Sequence, residues 1–136
     1  MTLFRKKERL TGEIRINRHF SEGNFFLSYP FRVGFSIVPK SEIPVKVLIG
    51  VPKKRFKHAT DRNRIKRLFR EVYRLNKETL FAVLEEKDFS INLSVNYISS
   101  DIFSYETMQR KWQEAIERLT IKILPPTPNP LKGAFR

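Results

Sequence analysis

The chain has 136 residues, 40% of them hydrophobic, which suffices for one compact domain with its own core and excludes disorder throughout. Its 27 Lys and Arg residues outnumber 14 Asp and Glu, and the formal charge of +13 predicts an anionic partner, most often nucleic acid. There is no cysteine, no apolar signal segment and no run of membrane-spanning length, so we expect a soluble, cytoplasmic protein without disulfides or a membrane partner.

The first predicted element is a basic helix over residues 5–20. Four side chains would supply its apolar contacts: Leu10, Ile14, Ile16 and Phe20. Gly12 disfavours the helix locally, because glycine in a helix interior costs about 1 kcal/mol relative to alanine. Gly23 ends it.

Two strands are predicted next. Residues 31–38 alternate between the two sides of a strand, and residues 45–51 form a second run rich in Val and Ile. The connection from Pro39 to Pro44 is short, which predicts a turn and antiparallel pairing of the two strands.

From about Ala59 the hydrophobic period changes from two to about 3.6, which predicts a helix with two faces. The apolar face comprises Ile65, Leu68, Phe69, Val72 and Leu75. At about 100° per residue, a set of cations falls within an arc of roughly 120° on the other side: Arg62, Lys66, Arg70, Arg74 and Lys77. Such a helix can pack on a sheet and present its cations outward.

The last predicted elements are a strand over residues 89–97 and a helix capped by Ser104. The buried face of that helix would comprise Met108, Trp112, Ala115, Ile116 and Leu119. Residues 125–136 are rich in proline and predict an extended or disordered tail. The order α-β-β-α-β-α therefore predicts a single domain over residues 1–124, an α+β two-layer sandwich with a small mixed sheet.

The positive charge is concentrated in residues 53–77, which hold 11 Lys and Arg and two acids. A basic helical face is usually only a solvated one. Here the cations cluster at the start of the predicted helix, where the helix dipole disfavours them, and few acids lie at i±4 to neutralise them. Asn63 stands among the arginines, and its amide can donate to phosphate or contact a base or sugar edge. We therefore favour nucleic-acid binding over the solvated-face interpretation.

The motif in this segment has an Arg62-Asn63-Arg64 core, then Lys66-Arg67, then Arg70-Glu71. It resembles the signature of the bacterial ribonuclease P protein component. The similarity extends in element order from about Arg5 to Leu124 and leaves out only the Pro-rich tail.

The resemblance implies the RNA-binding subunit of a ribonucleoprotein in which the RNA removes the 5′ leader of precursor tRNA by Mg²⁺-dependent hydrolysis. Its partners would be the catalytic RNA and precursor tRNA; Mg²⁺ would come with the RNA, and the protein itself would bind no cofactor or metal. The implied fold is ribosomal protein S5 domain 2-like, with the basic helix in a left-handed crossover. The RNA-contacting set would be Arg62, Asn63, Arg64, Lys66, Arg67 and Arg70, with Lys53, Lys54, Arg55 and Lys57 as the approach to phosphates.

The family also implies a cleft for the leader, with aromatic residues spaced four apart before a glycine. The matching positions are Ile16 and Phe20, followed by Gly23. Ile16 departs from the pattern and cannot stack a base. Phe20 could stack a base or pack in the core, and both interpretations stay open.

The residues do not predict a nuclease centre within the protein. His19 and His58 fall on different predicted elements without a partner carboxylate, and the acids Glu85, Glu86 and Asp88 cluster at a turn where acids are usually solvated. The alternative function is a structural or ribosome-associated RNA-binding protein without a processing role. A membrane-surface or calmodulin-target helix ranks last, because it needs the apolar helix face to be uncovered.

Overall fold

The structure, a computed structural model, describes residues 6–123. A short 3₁₀ helix, Lys6–Glu8, is followed by α1 (Glu13–Glu22), β1 (Asn24–Ser28), β2 (Phe31–Pro39), β3 (Val45–Gly50), α2 (Ala59–Asn76), α3 (Glu78–Glu85), β4 (Phe89–Tyr97) and α4 (Tyr105–Ile123). The α+β class is confirmed, and β1 and α3 are additions to the predicted order. The predicted tail, residues 125–136, lies outside the described residues, so the tail and the domain boundary stay predictions.

The strands form one mixed sheet in the order β1-β2-β4-β3. β2 is antiparallel to both β1 and β4, whereas β3 is parallel to β4. The predicted pairing of β2 with β3 is wrong, because β4 lies between them. A short turn permits a hairpin but does not require one, and the almost fully buried β4 takes the central position. The helices α2 and α3 then connect β3 to β4.

The main core lies between one face of the sheet and the helices α2 and α4. Phe31, Phe69 and Trp112 meet edge to face, with ring centroids 4.9 to 5.6 Å apart. The predicted buried face of α4 is confirmed. The predicted cap is also confirmed, since the Thr107 N–H donates to Ser104 Oγ at 3.2 Å.

The N-terminal helix is shorter than predicted. α1 begins at Glu13 because Gly12 has a φ of 95°, a conformation that glycine tolerates and that interrupts a helix. Leu10 is buried but precedes α1, whereas Ile14 is 77% exposed and Phe20 is 42% exposed. The apolar face predicted for residues 5–20 is therefore wrong for Ile14 and Phe20.

α1 is instead anchored by His19, which is only 1% exposed. Its Nδ1 lies 2.8 Å from Ser36 Oγ and its Nε2 lies 2.9 Å from Ser94 Oγ. Side chains alternate along a strand, so these serines point to the sheet face opposite Phe31 and Leu93, which pack in the main core. α1 therefore covers the second face of the sheet.

Candidate nucleic-acid interface

The loop between β3 and α2 presents the first group of predicted cations. Phe56 is 8% exposed and packs against Tyr97 at a ring-centroid distance of 6.1 Å. The Arg55 and Phe56 amides both donate to the Pro52 carbonyl, at 3.2 and 3.3 Å, which closes a turn. The side chains on this anchored loop are all exposed at the predicted phosphate-approach positions: Lys53, Lys54, Arg55 and Lys57.

Arg62 joins this loop to the first turns of α2. Its Nη1 donates to the carbonyls of Phe56 and Lys57, at 2.8 and 2.9 Å. One guanidinium nitrogen therefore fixes the loop, while the other donors of the group are not used in these two bonds. Arg62 positions the cationic loop in addition to any contact that it makes with RNA.

The exposed face of α2 is rotated from the predicted one. Tyr73 is fully buried beside Ile65, Phe69 and Val72, whereas Leu75 is 47% exposed, so its place in the predicted apolar face is wrong. Burial of the Tyr73 ring moves the buried face of α2 away from Leu75. The exposed positions of the motif are Asn63, Arg64 and Arg67, with Arg62, Lys66 and Arg70 half-buried at the margins.

Two predicted cations do not point freely outward. Arg74 forms an ion pair with Glu71 one turn earlier, and this hydrogen bond lowers the pKa of the Glu71 carboxyl. Lys77 is 5% exposed, and its Nζ lies 2.9 and 3.0 Å from the two carboxylate oxygens of buried Glu8. The predicted outward position of Lys77 is therefore wrong; the residue follows α2 and ties it to the N-terminal segment.

Arg70 lies near two other cations, Arg9 and Arg67. Burial lowers the pKa of its guanidinium, and Arg9 and Arg67 lower it further by repulsion. No ion pair joins Arg70 to another residue within 6–123. An anion placed beside Arg70 would relieve this repulsion.

A separate cleft of about 290 Å³ lies between α1 and the sheet. Its walls combine the cations Arg15, Arg18 and Lys46 with apolar residues that include Ile14, Val38 and Ile43. Ile16 and Phe20 are not part of this wall; Phe20 stacks on Phe25, with centroids 5.8 Å apart and an interplanar angle of 12°. The structure thus brings other α1 residues to the cleft, and leader contacts at Ile16 and Phe20 stay predictions.

Sequence reasoning missed Arg15, Arg18 and Lys46. The i, i+3 spacing of the two arginines puts them on one side of α1, but only the buried His19 shows which side faces the sheet. Its burial lowers the pKa of the imidazole below the ordinary value of 6.5. His19 is therefore a neutral structural residue at neutral pH.

The other candidates for chemistry lie at the surface. His58 is exposed just before α2, and Glu85, Glu86 and Asp88 are exposed at and after the end of α3. Within residues 6–123, no three His, Asp or Glu side chains are grouped so that they could hold a metal ion. In the same residues, no helix is both long enough and apolar enough to cross a bilayer.

A mixed sheet with an anchored cationic loop and a basic helix face defines an α+β nucleic-acid-binding domain. Residues 4–120 match the family model described as Ribonuclease P. The chain belongs to the ribonuclease P protein family.

Curated relatives and solved structures that resemble this chain are also ribonuclease P proteins. The chain is 37% identical over 115 residues to the ribonuclease P protein component of Porphyromonas gingivalis strain W83, with 84% of each chain covered. Its fold is similar to that of the ribonuclease P protein from Thermotoga maritima, with a TM-score of 0.64, 24% identity, and 81% of this chain and 96% of that chain covered. A Staphylococcus aureus RNase P protein structure gives a TM-score of 0.62 at 19% identity, covering 82% of this chain and 94% of that one.

Proposed function

We propose that this chain is the RNA-binding protein subunit of a ribonuclease P, which removes the 5′ leader from precursor tRNA in the cytoplasm. The observation that carries the proposal is the continuous cationic surface of the anchored loop and α2, which coincides with the family motif. In this proposal the RNA subunit performs the Mg²⁺-dependent hydrolysis. The protein holds the active RNA conformation and the substrate.

The loop and α2 suit a phosphate backbone because their cations are held in place before the RNA binds. The core residues Ile65, Phe69 and Val72 fix the helix, and Arg62 fixes the loop. Preorganised side chains lose less conformational entropy on binding. Each phosphate that they neutralise releases condensed counterions, so binding should weaken steeply with salt.

The cleft under α1 suits a single-stranded leader. Ile14, Val38 and Ile43 offer apolar contact for bases or sugars, and the cations of the cleft wall offer charge for the connecting phosphates. A duplex keeps its bases stacked inside and cannot present them to such a narrow cleft. We therefore assign the unpaired leader of precursor tRNA to this site.

Within residues 6–123, the titratable side chains are not grouped as a metal-dependent nuclease would need them. Both ring nitrogens of His19 face serine hydroxyls, and these contacts hold α1 on the sheet. Supplying fixed cations where two RNAs meet lowers the Mg²⁺ concentration needed to bring them together. This is how a binding protein can raise the rate of a reaction that the RNA performs.

Reconstitution tests the proposal. The purified chain is added to a bacterial ribonuclease P RNA and precursor tRNA at low Mg²⁺, and leader removal is measured against RNA alone. We expect faster cleavage with the protein. RNA binding without any gain in cleavage would favour the structural or ribosome-associated alternative.

The cleft assignment has its own test. The double variant Arg15→Gln/Arg18→Gln should weaken binding to precursor tRNA within the RNA–protein complex, with mature tRNA affinity unchanged. The control Arg110→Gln removes an exposed cation from α4, outside both surfaces. Equal losses for precursor and mature tRNA would contradict leader binding in this cleft.

A further inference from the structure

A second, smaller cavity of about 180 Å³ lies at the outer edge of the sheet. It is bounded by the N-terminal segment, by β3 and by α2. Its lining comprises Arg9, Leu10, Thr11, Val47, Leu48, Ile49 and Arg70. Arginines from two separate parts of the chain therefore face one small space.

The N-terminal arginine is held at this cavity by the residues on each side of it. Leu10 is 2% exposed, and its N–H donates to the Val47 carbonyl at 2.9 Å. Arg9 itself forms a parallel β-bridge with Val47. On the other side, Glu8 is buried against Lys77. The backbone of Arg9 is thus fixed on the edge of β3 while its side chain is exposed.

The edge of β3 adds a backbone donor. The Pro44 carbonyl accepts from the Ile91 N–H in β4, whereas the Val47 carbonyl accepts from Leu10 on the outer side. Peptide groups in a strand alternate in direction with a period of two. The Ile49 N–H therefore points to the same outer edge of β3 as the Val47 carbonyl, and this is the edge that lines the cavity.

Electrostatics at this cavity favour an anion. The Arg70 guanidinium is half-buried, and Arg9 is close enough to lower its pKa by repulsion. Two arginine forks and a backbone N–H around one small cavity match the oxygens of a phosphate group. Arginine is suited to this role because it stays charged and can bind a phosphate through two parallel hydrogen bonds.

We propose that this cavity binds one phosphodiester group of the ribonuclease P RNA between Arg9 and Arg70. The inference rests on the proposed function and extends the RNA interface beyond the family motif. The bound phosphate would join α2 to the N-terminal segment, so the RNA contacts two elements that are distant in sequence.

The test measures affinity for a bacterial ribonuclease P RNA at several salt concentrations. Arg9→Gln and Arg70→Gln should each weaken binding roughly three- to tenfold and reduce the salt slope by about 0.7 to 0.9. Because both side chains hold the same phosphate, the double variant should have nearly the slope of either single variant. Arg9→Lys should keep most of the slope, since it keeps the charge.

Arg110→Gln is the matched control, because it removes one exposed cation from α4. If Arg9→Gln has the same affinity and slope as this control, the phosphate site is disproved while the proposed function stands. Weaker binding with an unchanged slope also disproves it, since the role of Arg9 would then be structural. If the unmodified protein shows no salt-dependent binding to the RNA, the proposed function itself fails. Thermal unfolding followed by circular dichroism confirms that each variant is folded.

Discussion

The helices α1 and α2 lie on opposite faces of one sheet and are attached to it by different chemistry. α2 inserts Ile65, Phe69 and Val72 into the main core. α1 has one fully buried side chain, His19, which is held between two serine hydroxyls. A large apolar contact fixes the position of α2, whereas α1 depends on two directional hydrogen bonds.

The two attachments fit the two proposed tasks. A rigid helix suits the folded catalytic RNA, because the spacing of its cations must match a fixed pattern of phosphates. A helix that packs less tightly leaves a cleft beneath it, and that cleft remains available for a flexible single strand. An apolar contact between α1 and the sheet would have filled this cleft, whereas the polar contact through His19 leaves it open.

The largest expected effect comes from breaking the attachment of α2. Phe69→Ala should lower the free energy of unfolding by about 3 to 5 kcal/mol, because it removes a ring packed against Phe31 and Trp112. Urea denaturation measures this change. Leu75→Ala, on the exposed side of the same helix, should stay within about 0.5 kcal/mol of the unmodified protein. Similar losses for the two variants would show that α2 is not held by its apolar face.

A smaller effect is expected from breaking the attachment of α1. His19→Ala removes the partner of Ser36 and Ser94 and should cost about 1 to 3 kcal/mol, since the buried serine hydroxyl loses its hydrogen bond. The same variant should weaken precursor tRNA binding, because α1 forms one wall of the cleft. His58→Ala is the control, as that histidine is exposed. An unchanged free energy of unfolding in His19→Ala would show that other contacts hold α1 on the sheet.

The loop-fixing and RNA-binding roles of Arg62 can be separated by comparison with Lys66. Lys66→Ala should reduce the salt slope of RNA binding by about 0.7 to 0.9 with little change in stability. Arg62→Ala should also lower the free energy of unfolding by about 0.5 to 1.5 kcal/mol, because it breaks the bonds to Phe56 and Lys57. Salt-dependent binding and urea denaturation measure the two effects. A normal salt slope in Lys66→Ala would mean that this side chain contacts only solvent.

The smallest expected effect is a pH dependence from His19. Burial lowers the pKa of the folded-state imidazole below 6.5, so the unfolded chain binds a proton that the folded chain does not. Stability from the neutral ring is therefore complete above about pH 6.5 and falls as the pH drops toward the folded-state pKa. Unfolding free energies between pH 7.5 and 5.5 should decline more in the unmodified protein than in His19→Ala. Parallel declines would contradict the assignment.

Much of the fold could be predicted from periodicity. The strand over residues 89–97 and the buried face of α4 agree with the structure, because alternation and 3.6-residue spacing are local signals of a strand and a helix. Alternation did not predict that the polar positions of β4 are buried as well, because α1 covers that face of the sheet. The order of strands could not be predicted in the same way. Local sequence favours a β2–β3 hairpin, but the chain returns through α2 and α3 to place β4 between them. That choice depends on contacts between residues far apart in sequence.

The sequence by itself determined that this protein carries a cationic surface on an amphipathic helix, because charge and spacing are local properties of the chain. Only the tertiary structure decided which cations that surface includes. Burial of Tyr73 sets which face of α2 is exposed. The ion pair with Glu8 takes Lys77 out of the exposed cationic surface. Pairing with the edge of β3 places Arg9 at the same cavity as Arg70. Local spacing fixes the faces of a helix, but packing against the sheet fixes which face remains in solvent.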